Sequence, residues 1–371
     1  MLCLSLEREG SRVTEAGWVR SAGGRHHGAH GEAAARSLGV SPHSFVDFSQ
    51  NINPLGPPSG ALEAARAAIS GSSTYPAPEY PELRRALAGY LKVDEDHLLP
   101  ANGGAEALFL AARGLRRAGK RRAVIPEPTF SEYAAAAYAA GMEVTRKPSW
   151  RESGGRFALD PRSMDGLAAD DAVFLCNPNN PTGSALSRDE VLGIYEMAAG
   201  AGAALVVDEA FADFAPDLSV VSEADTTLTV VRSFTKFFAI PGLRLGCVIT
   251  PETQWFASFQ PSWPVNAAAA AAGVASVSDT EFAGLSVRRV GELRRELAGE
   301  LSALPGIKVY DSAANFLLLR GPEGIVDLLA RRGILARGCE PFEGLGARHF
   351  RVAVREEEDN RRLARILREI L

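Results

Sequence analysis

Short apolar runs and helical repeats alternate along the chain from about residue 45 to residue 250. The runs at residues 123–125, 172–176, 204–207, 227–232 and 245–249 read as strands. Between them, residues 105–118, 132–140 and 189–199 carry helical spacing, and the last opens on a capping-box signal, Ser187 with Glu190 three residues on. This alternation is the sequence form of an α/β domain, a sheet sandwiched by crossover helices. The turn-rich stretch Asn51-Ile52-Asn53-Pro54-Leu55-Gly56-Pro57-Pro58 marks its beginning. After Pro264 the pattern changes to long helices at 267–277 and 281–301, followed by strands near 308–310, 315–319 and 350–354. A smaller α+β domain is expected there. The divisions are a 1–25 N-terminal extension, a 26–50 arm, a 51–265 large domain and a 266–371 small domain.

Composition narrows the class without naming a function. With 371 residues, 46% hydrophobic and 23% charged, the chain has ample material for a large core. A net charge of −5, with basic residues spread along the chain, argues against nucleic-acid binding. Cys3, Cys176, Cys247 and Cys339 form no CxxC pair, which argues against a disulfide framework and a metal site and fits a reducing cytoplasm. No apolar run approaches the roughly 20 residues that span a bilayer. Residues 1–20 carry Glu7, Arg8, Glu9, Arg12 and Glu15 where a secretory signal needs an apolar stretch, so they read as a flexible arm or an early start codon.

The candidate chemistry begins with Ser233-Phe234-Thr235-Lys236, followed by Gly242-Leu243-Arg244-Leu245-Gly246. A strand-end lysine near a hydroxyl and an arginine suits an aldehyde cofactor bearing a phosphate: the amine condenses as a Schiff base and the donors neutralise the dianion. Taken alone, Ser-x-x-Lys is most often a surface turn. Asp208 ends the apolar run at 204–207, where α/β proteins place ligands, and its carboxylate can keep a pyridine nitrogen protonated. Its bland reading is a helix cap or turn aspartate. Asn177-Pro178-Asn179-Asn180-Pro181-Thr182-Gly183 follows a buried run and offers Asn180 as a donor to a ring oxygen, although such pairs are also plain turn formers. Gly103-Gly104-Ala105 opens a helix whose free N–H groups suit a phosphate, and Phe130 follows a strand where it can stack on a ring. Each signal is weak singly; their order is what carries weight.

In that order the motifs resemble the class I/II aminotransferases of pyridoxal 5′-phosphate (PLP) fold type I, from about residue 26 to the C-terminus. The resemblance implies a mixed, mostly parallel sheet. It also implies Lys236 as the cofactor lysine, Asp208 on the ring nitrogen, Asn180 on the ring oxygen, and Phe130 stacked. Gly104, Ala105, Ser233 and Arg244 would bind the cofactor phosphate. It implies a homodimer in which Tyr75 reaches the partner's site. Two branches fit: histidinol-phosphate aminotransferase and threonine-phosphate decarboxylase. The second is nearer, through the stretch from Phe45 to Gly56, that from Thr235 to Arg244, Trp263-Pro264-Val265-Asn266, and Phe211 where aminotransferases carry tyrosine. By resemblance, Arg351 holds an α-carboxylate and Arg337 a substrate phosphate, fitting a small phosphorylated amino acid. Asn51, Asn180, Gly28 and His27, with His26 as its alternative, close that pocket.

The expected reaction is therefore decarboxylation of L-threonine O-3-phosphate to (R)-1-amino-2-propanol O-2-phosphate in cobalamin biosynthesis, with histidinol-phosphate aminotransfer as the alternative. A non-catalytic PLP-binding regulatory module is a third reading, disfavoured because residues 1–25 are too few for a DNA-binding domain.

Overall fold

The computed structural model describes Ser41 and residues 45–371. The strands are β1 (Val46–Asp47), β2 (Leu98–Ala101), β3 (Arg122–Glu127), β4 (Glu143–Pro148), β5 (Trp150–Ser153), β6 (Arg156–Leu159), β7 (Asp171–Cys176), β8 (Ala204–Asp208), β9 (Leu228–Ser233), β10 (Gly246–Ile249), β11 (Lys308–Val309), β12 (Phe316–Arg320), β13 (Ile334–Leu335), β14 (Arg337–Gly338) and β15 (His349–Ala353). Seven of them form a central sheet of order β2-β10-β9-β8-β7-β3-β4. From β9 to β4 every neighbour is parallel, whereas β10 runs antiparallel to both β9 and β2.

The alternation of side chains sorts the core into two layers. Ile125, Phe174 and Val206 join Leu108, Ala111, Tyr133 and Ala137 from the helices Gly103–Arg117 and Glu132–Ala139. Val124, Val173, Leu175, Leu205 and Val207 face the other way, against Val191 and Ile194 of the helix Arg188–Gly200. With helices on both sides, β7 and β8 are buried at every position, as a covered parallel sheet requires. The capping box at Ser187 forms as expected: its Oγ accepts from the Glu190 amide at 3.2 Å, and the Glu190 carboxylate accepts from the Ser187 amide at 2.7 Å.

The sequence pattern missed β2, β4 and the β5–β6 hairpin. The outer strand β4 keeps polar residues such as Glu143, Arg146 and Lys147 and so resembles a loop in composition. At the opposite edge β2 contains Pro100, which an edge position tolerates. The helices Ser59–Ser70, Pro81–Leu91, Ile325–Arg331 and Glu357–Ile370 were likewise not anticipated.

A second sheet, β11-β12-β15-β14, is antiparallel throughout and packs Leu317, Leu319, Phe350 and Val352 against Leu297, Leu301, Leu363 and Leu367 of the helices Thr280–Ser302 and Glu357–Ile370. The segment around β1 belongs to it: β1 pairs in parallel with β13, Phe48 enters the same core, and the Phe48 carbonyl accepts from the Ala353 amide at 2.8 Å. The chain then crosses to the central sheet, where the Asn53 amide donates to the Lys236 carbonyl at 3.0 Å. Residues 49–52 are thereby stretched over the C-terminal ends of β7, β8 and β9, the place where open α/β sheets bind ligands.

Candidate functional site

A cavity of about 310 Å3 lies there, lined by side chains from both sheets. It gathers Asn51, Gly104, Ala105, Phe130, Asn180, Asp208, Ser233, Lys236, Arg244, Arg337 and Arg351, eleven of the residues the sequence singled out. Tyr75 is elsewhere on this subunit: it is 77% exposed and stacks on Trp263 with ring centroids 4.3 Å apart. His27 and Gly28 lie outside the described residues.

Lys236 sits in the short helical turn Phe234–Phe237 that follows β9. Its Nζ donates to Thr235 Oγ1 at 3.1 Å, and that oxygen lies 2.8 Å from Ser233 Oγ. Burial pulls its proton affinity down to about 8, with Arg244 and Arg351 adding to the effect and Asp208 opposing it. A substantial fraction of the amine is therefore neutral near physiological pH, as a nucleophile or proton acceptor requires.

Asp208 ends β8 with both oxygens engaged: Oδ1 accepts from the Ala210 amide at 3.0 Å and Oδ2 from the Tyr133 hydroxyl at 2.8 Å. Burial nonetheless raises its proton affinity above the ordinary carboxylate value. A cation facing it from the cavity would reverse that.

Two glycines make the opposite wall. Gly103 has φ +85°, and a Cβ there would lie 2.5 Å from Arg244 Nη2; a Cβ on Gly104 would lie 2.9 Å from Ser233 Cβ. Bare backbone at the start of the helix Gly103–Arg117 thus lets Ser233 and Arg244 close in on its free N–H groups. Together they form an anion cradle.

Arg337 and Arg351 are directly opposed across β14 and β15, so both side chains project from the same face of the sheet into the cavity. Arg351 donates to Asn180 Oδ1 and, at 3.1 Å, to the Ser49 carbonyl, and its guanidinium lies 5.1 Å from the Phe316 ring. Burial and the Arg337 charge pull its proton affinity down to about 10. Arg337 lies over the Phe342 ring at 5.9 Å. Asn51 is buried, and its Oδ1 accepts no hydrogen bond among the described residues.

Several lining residues escaped the sequence reading, among them Tyr133, Cys176, Thr235 and Phe342. Tyr133 carried a usable signal, since it lies three residues after Phe130 at the start of a helix. Phe342 carried none, because its place depends on how the second sheet packs.

The family model for class I and II aminotransferases matches residues 43–367. The chain belongs to that family. It is 37% identical to a threonine-phosphate decarboxylase of Salmonella typhimurium, over 93% of this chain and 96% of that one. It is 35% identical to a histidinol-phosphate aminotransferase of Symbiobacterium thermophilum, over 92% and 94%. Among solved structures, the L-threonine-O-3-phosphate decarboxylase of Porphyromonas gingivalis aligns with a TM-score of 0.76 at 26% identity, covering 88% of this chain and 99% of that one. The described part therefore has the fold of PLP-dependent transferases of fold type I, with the mixed, mostly parallel sheet expected from the sequence.

Among the described residues, no helix is long and apolar enough to cross a membrane, and no group of three or more His, Cys, Asp or Glu is placed to hold a metal ion.

Proposed function

We propose that the chain is a PLP-dependent decarboxylase of L-threonine O-3-phosphate, releasing carbon dioxide and (R)-1-amino-2-propanol O-2-phosphate, a step that belongs to cobalamin biosynthesis. The observation that carries the reading is the Arg337–Arg351 pair, two buried guanidinium forks side by side in the cavity that holds Lys236. One small substrate with a carboxylate and a phosphate gives each fork an anion of matching geometry. The likeness to the Salmonella enzyme supports the choice of substrate.

The cavity fits the cofactor. Its phosphate suits the cradle of Gly104, Ala105, Ser233 and Arg244, where a Cβ on Gly103 would collide with Arg244 and one on Gly104 with Ser233. A protonated ring nitrogen is the cation that the buried Asp208 carboxylate calls for, and Phe130 and Asn180 stand beside the ring position. When bound, PLP supplies a carbonyl that captures an amine and a ring that takes up the electron pair released at the substrate Cα.

The chain's own residues do the rest. Arg351, braced by Asn180 and Ser49, orients the α-carboxylate; Arg337 takes the phosphate; Phe211, Phe316 and Phe342 surround them with apolar surface. Lys236 Nζ, fixed by Thr235, returns a proton to Cα after carbon dioxide has left. The exposed Tyr75–Trp263 pair supports a homodimer in which Tyr75 serves the partner's cavity. The buried free thiols of Cys176, Cys247 and Cys339 suit the cytoplasm.

Purified protein incubated with PLP and threonine phosphate, without a keto acid, should release carbon dioxide in step with the amine phosphate. Glutamate-dependent amino exchange on imidazole-acetol phosphate would instead establish the aminotransferase. Turnover of neither would leave a binding module.

A further inference from the structure

Tyr133 is fully buried at the wall of the cavity, and its hydroxyl donates the 2.8 Å bond to Asp208 Oδ2. Its ring is clamped on two sides. Phe130, three residues earlier, meets it edge-on with centroids 5.8 Å apart, and Phe174 of β7 lies behind it at 6.2 Å. The neighbouring Cys176 thiol does not compete for the carboxylate, because it is directed to the Pro178 carbonyl at 3.3 Å. The hydroxyl, with the Cys176 thiol beside it, thus has Asp208 as its single charged acceptor.

We propose that Tyr133 is a positioning residue for the cofactor's ring nitrogen: with the Ala210 amide it holds Asp208 ionised, in one plane, facing the cavity. The inference rests on the cofactor reading above, since the group to be faced is that nitrogen. Its physical basis is the conflict at Asp208. Burial disfavours the carboxylate, and the Tyr133 hydroxyl leads the groups that offset this before the ligand arrives, followed by the Ala210 amide and the Lys236 charge. One donor on each oxygen fixes the carboxylate plane and leaves each oxygen acceptor capacity that a ring N–H would use. Tyrosine suits the task better than a titratable donor, because burial and the Asp208 charge push its own ionisation far above the working range. It is a donor at every pH at which the enzyme operates. The same residue sets Phe130, so the face and the nitrogen edge of the ring are positioned by one helix start.

Tyr133→Phe keeps the ring packing and removes only the hydroxyl. Cofactor affinity is measured by absorbance titration of cofactor-free protein with PLP, and with an analogue whose ring nitrogen is replaced by C–H. Tyr133→Phe should weaken PLP binding about tenfold, the size of a lost hydrogen bond to a charged group. It should leave affinity for the nitrogen-free analogue within about twofold of wild type. In an Asp208→Asn background the same substitution should change PLP affinity little. Equal losses for both cofactors, or an undiminished loss in the Asp208→Asn background, would show that Tyr133 merely packs and would overturn the proposal. Failure of wild-type protein to take up PLP would overturn the cofactor reading and this inference with it.

Discussion

Arg351→Met tests whether the second sheet carries its buried charge for stability or for a ligand. Arg351 is 6% exposed, and its described hydrogen-bond partners, Asn180 Oδ1 and the Ser49 carbonyl, are both neutral. Its proton affinity falls from the ordinary guanidinium value to about 10, a penalty of roughly 3 kcal/mol for holding the charge there. Methionine fills a similar volume and removes that penalty. Against this, two acceptors lose a donor at about 1–3 kcal/mol in total, partly met by water in the cavity. The cofactor-free variant should therefore lie within about 1 kcal/mol of wild type, while affinity for threonine phosphate falls by about a hundredfold, near 3 kcal/mol. Arg232 is the internal control. It is equally buried but sits 2.7 Å from Glu209 and is also bonded to Asp213, so Arg232→Met strands two carboxylates and should cost about 3–5 kcal/mol. Urea denaturation of the two cofactor-free variants, with melting shifts on adding threonine phosphate, reads both quantities. A loss of 3 kcal/mol or more in Arg351→Met, matching Arg232→Met, would refute the reasoning.

Two further outcomes follow from the geometry around the cradle and the lysine. Lys236 binds its proton less tightly folded, near 8, than unfolded, near 10.5, so the folded state holds fewer protons between those values and its stability should rise with pH across that window, the penalty being fully present below about 8. Urea denaturation from pH 7 to 10 checks this, and a rise that persists undiminished in Lys236→Met would contradict it. Gly104→Ala puts a Cβ 2.9 Å from Ser233 Cβ, so it should push the helix start away from Ser233 and weaken PLP binding about tenfold or more, at an overpacking cost of about 1–3 kcal/mol; unchanged affinity in a fluorescence titration would remove the cradle from the cofactor site.

What could be read from the sequence divides along a physical line. Strands covered on both faces, such as β7 and β8, leave uninterrupted apolar runs, and the candidate residues near strand ends, Asn180, Asp208 and Lys236, stand in fixed relation to such runs. The edge strands β2 and β4 compromise with solvent and lose the signal. Arg337 and Arg351 showed no chemistry of their own in the linear sequence. Only the β14–β15 register sets them side by side, so resemblance was the sole route to them. Tyr133 and Phe342 depend on tertiary packing. Helix Glu357–Ile370 was overlooked because its charged residues outnumber the buried Leu363, Ala364, Ile366 and Leu367 that anchor it.

The treatment of buried charge separates scaffold from site. At Arg232 the fold supplies Glu209 and Asp213, and the Tyr90 hydroxyl completes the cluster at 2.8 Å from Asp213. At Lys236, Arg244 and Arg351 it supplies a hydroxyl, a proline carbonyl, an amide oxygen and a serine carbonyl, all neutral. A chain selected for stability alone would have no reason to gather Lys236, Arg244, Arg337 and Arg351 around one cavity with Asp208 as the one carboxylate among the described residues that line it, since Arg244 and Arg351 weaken the hold of Lys236 on its proton and Arg337 weakens that of Arg351. Such an arrangement is stable only to the extent that the rest of the fold offsets it, and its electrostatic cost is recovered when anions arrive. In the proposed function the cofactor's phosphate and the substrate's carboxylate are those anions, which would make binding and folding stability two readings of the same charge imbalance.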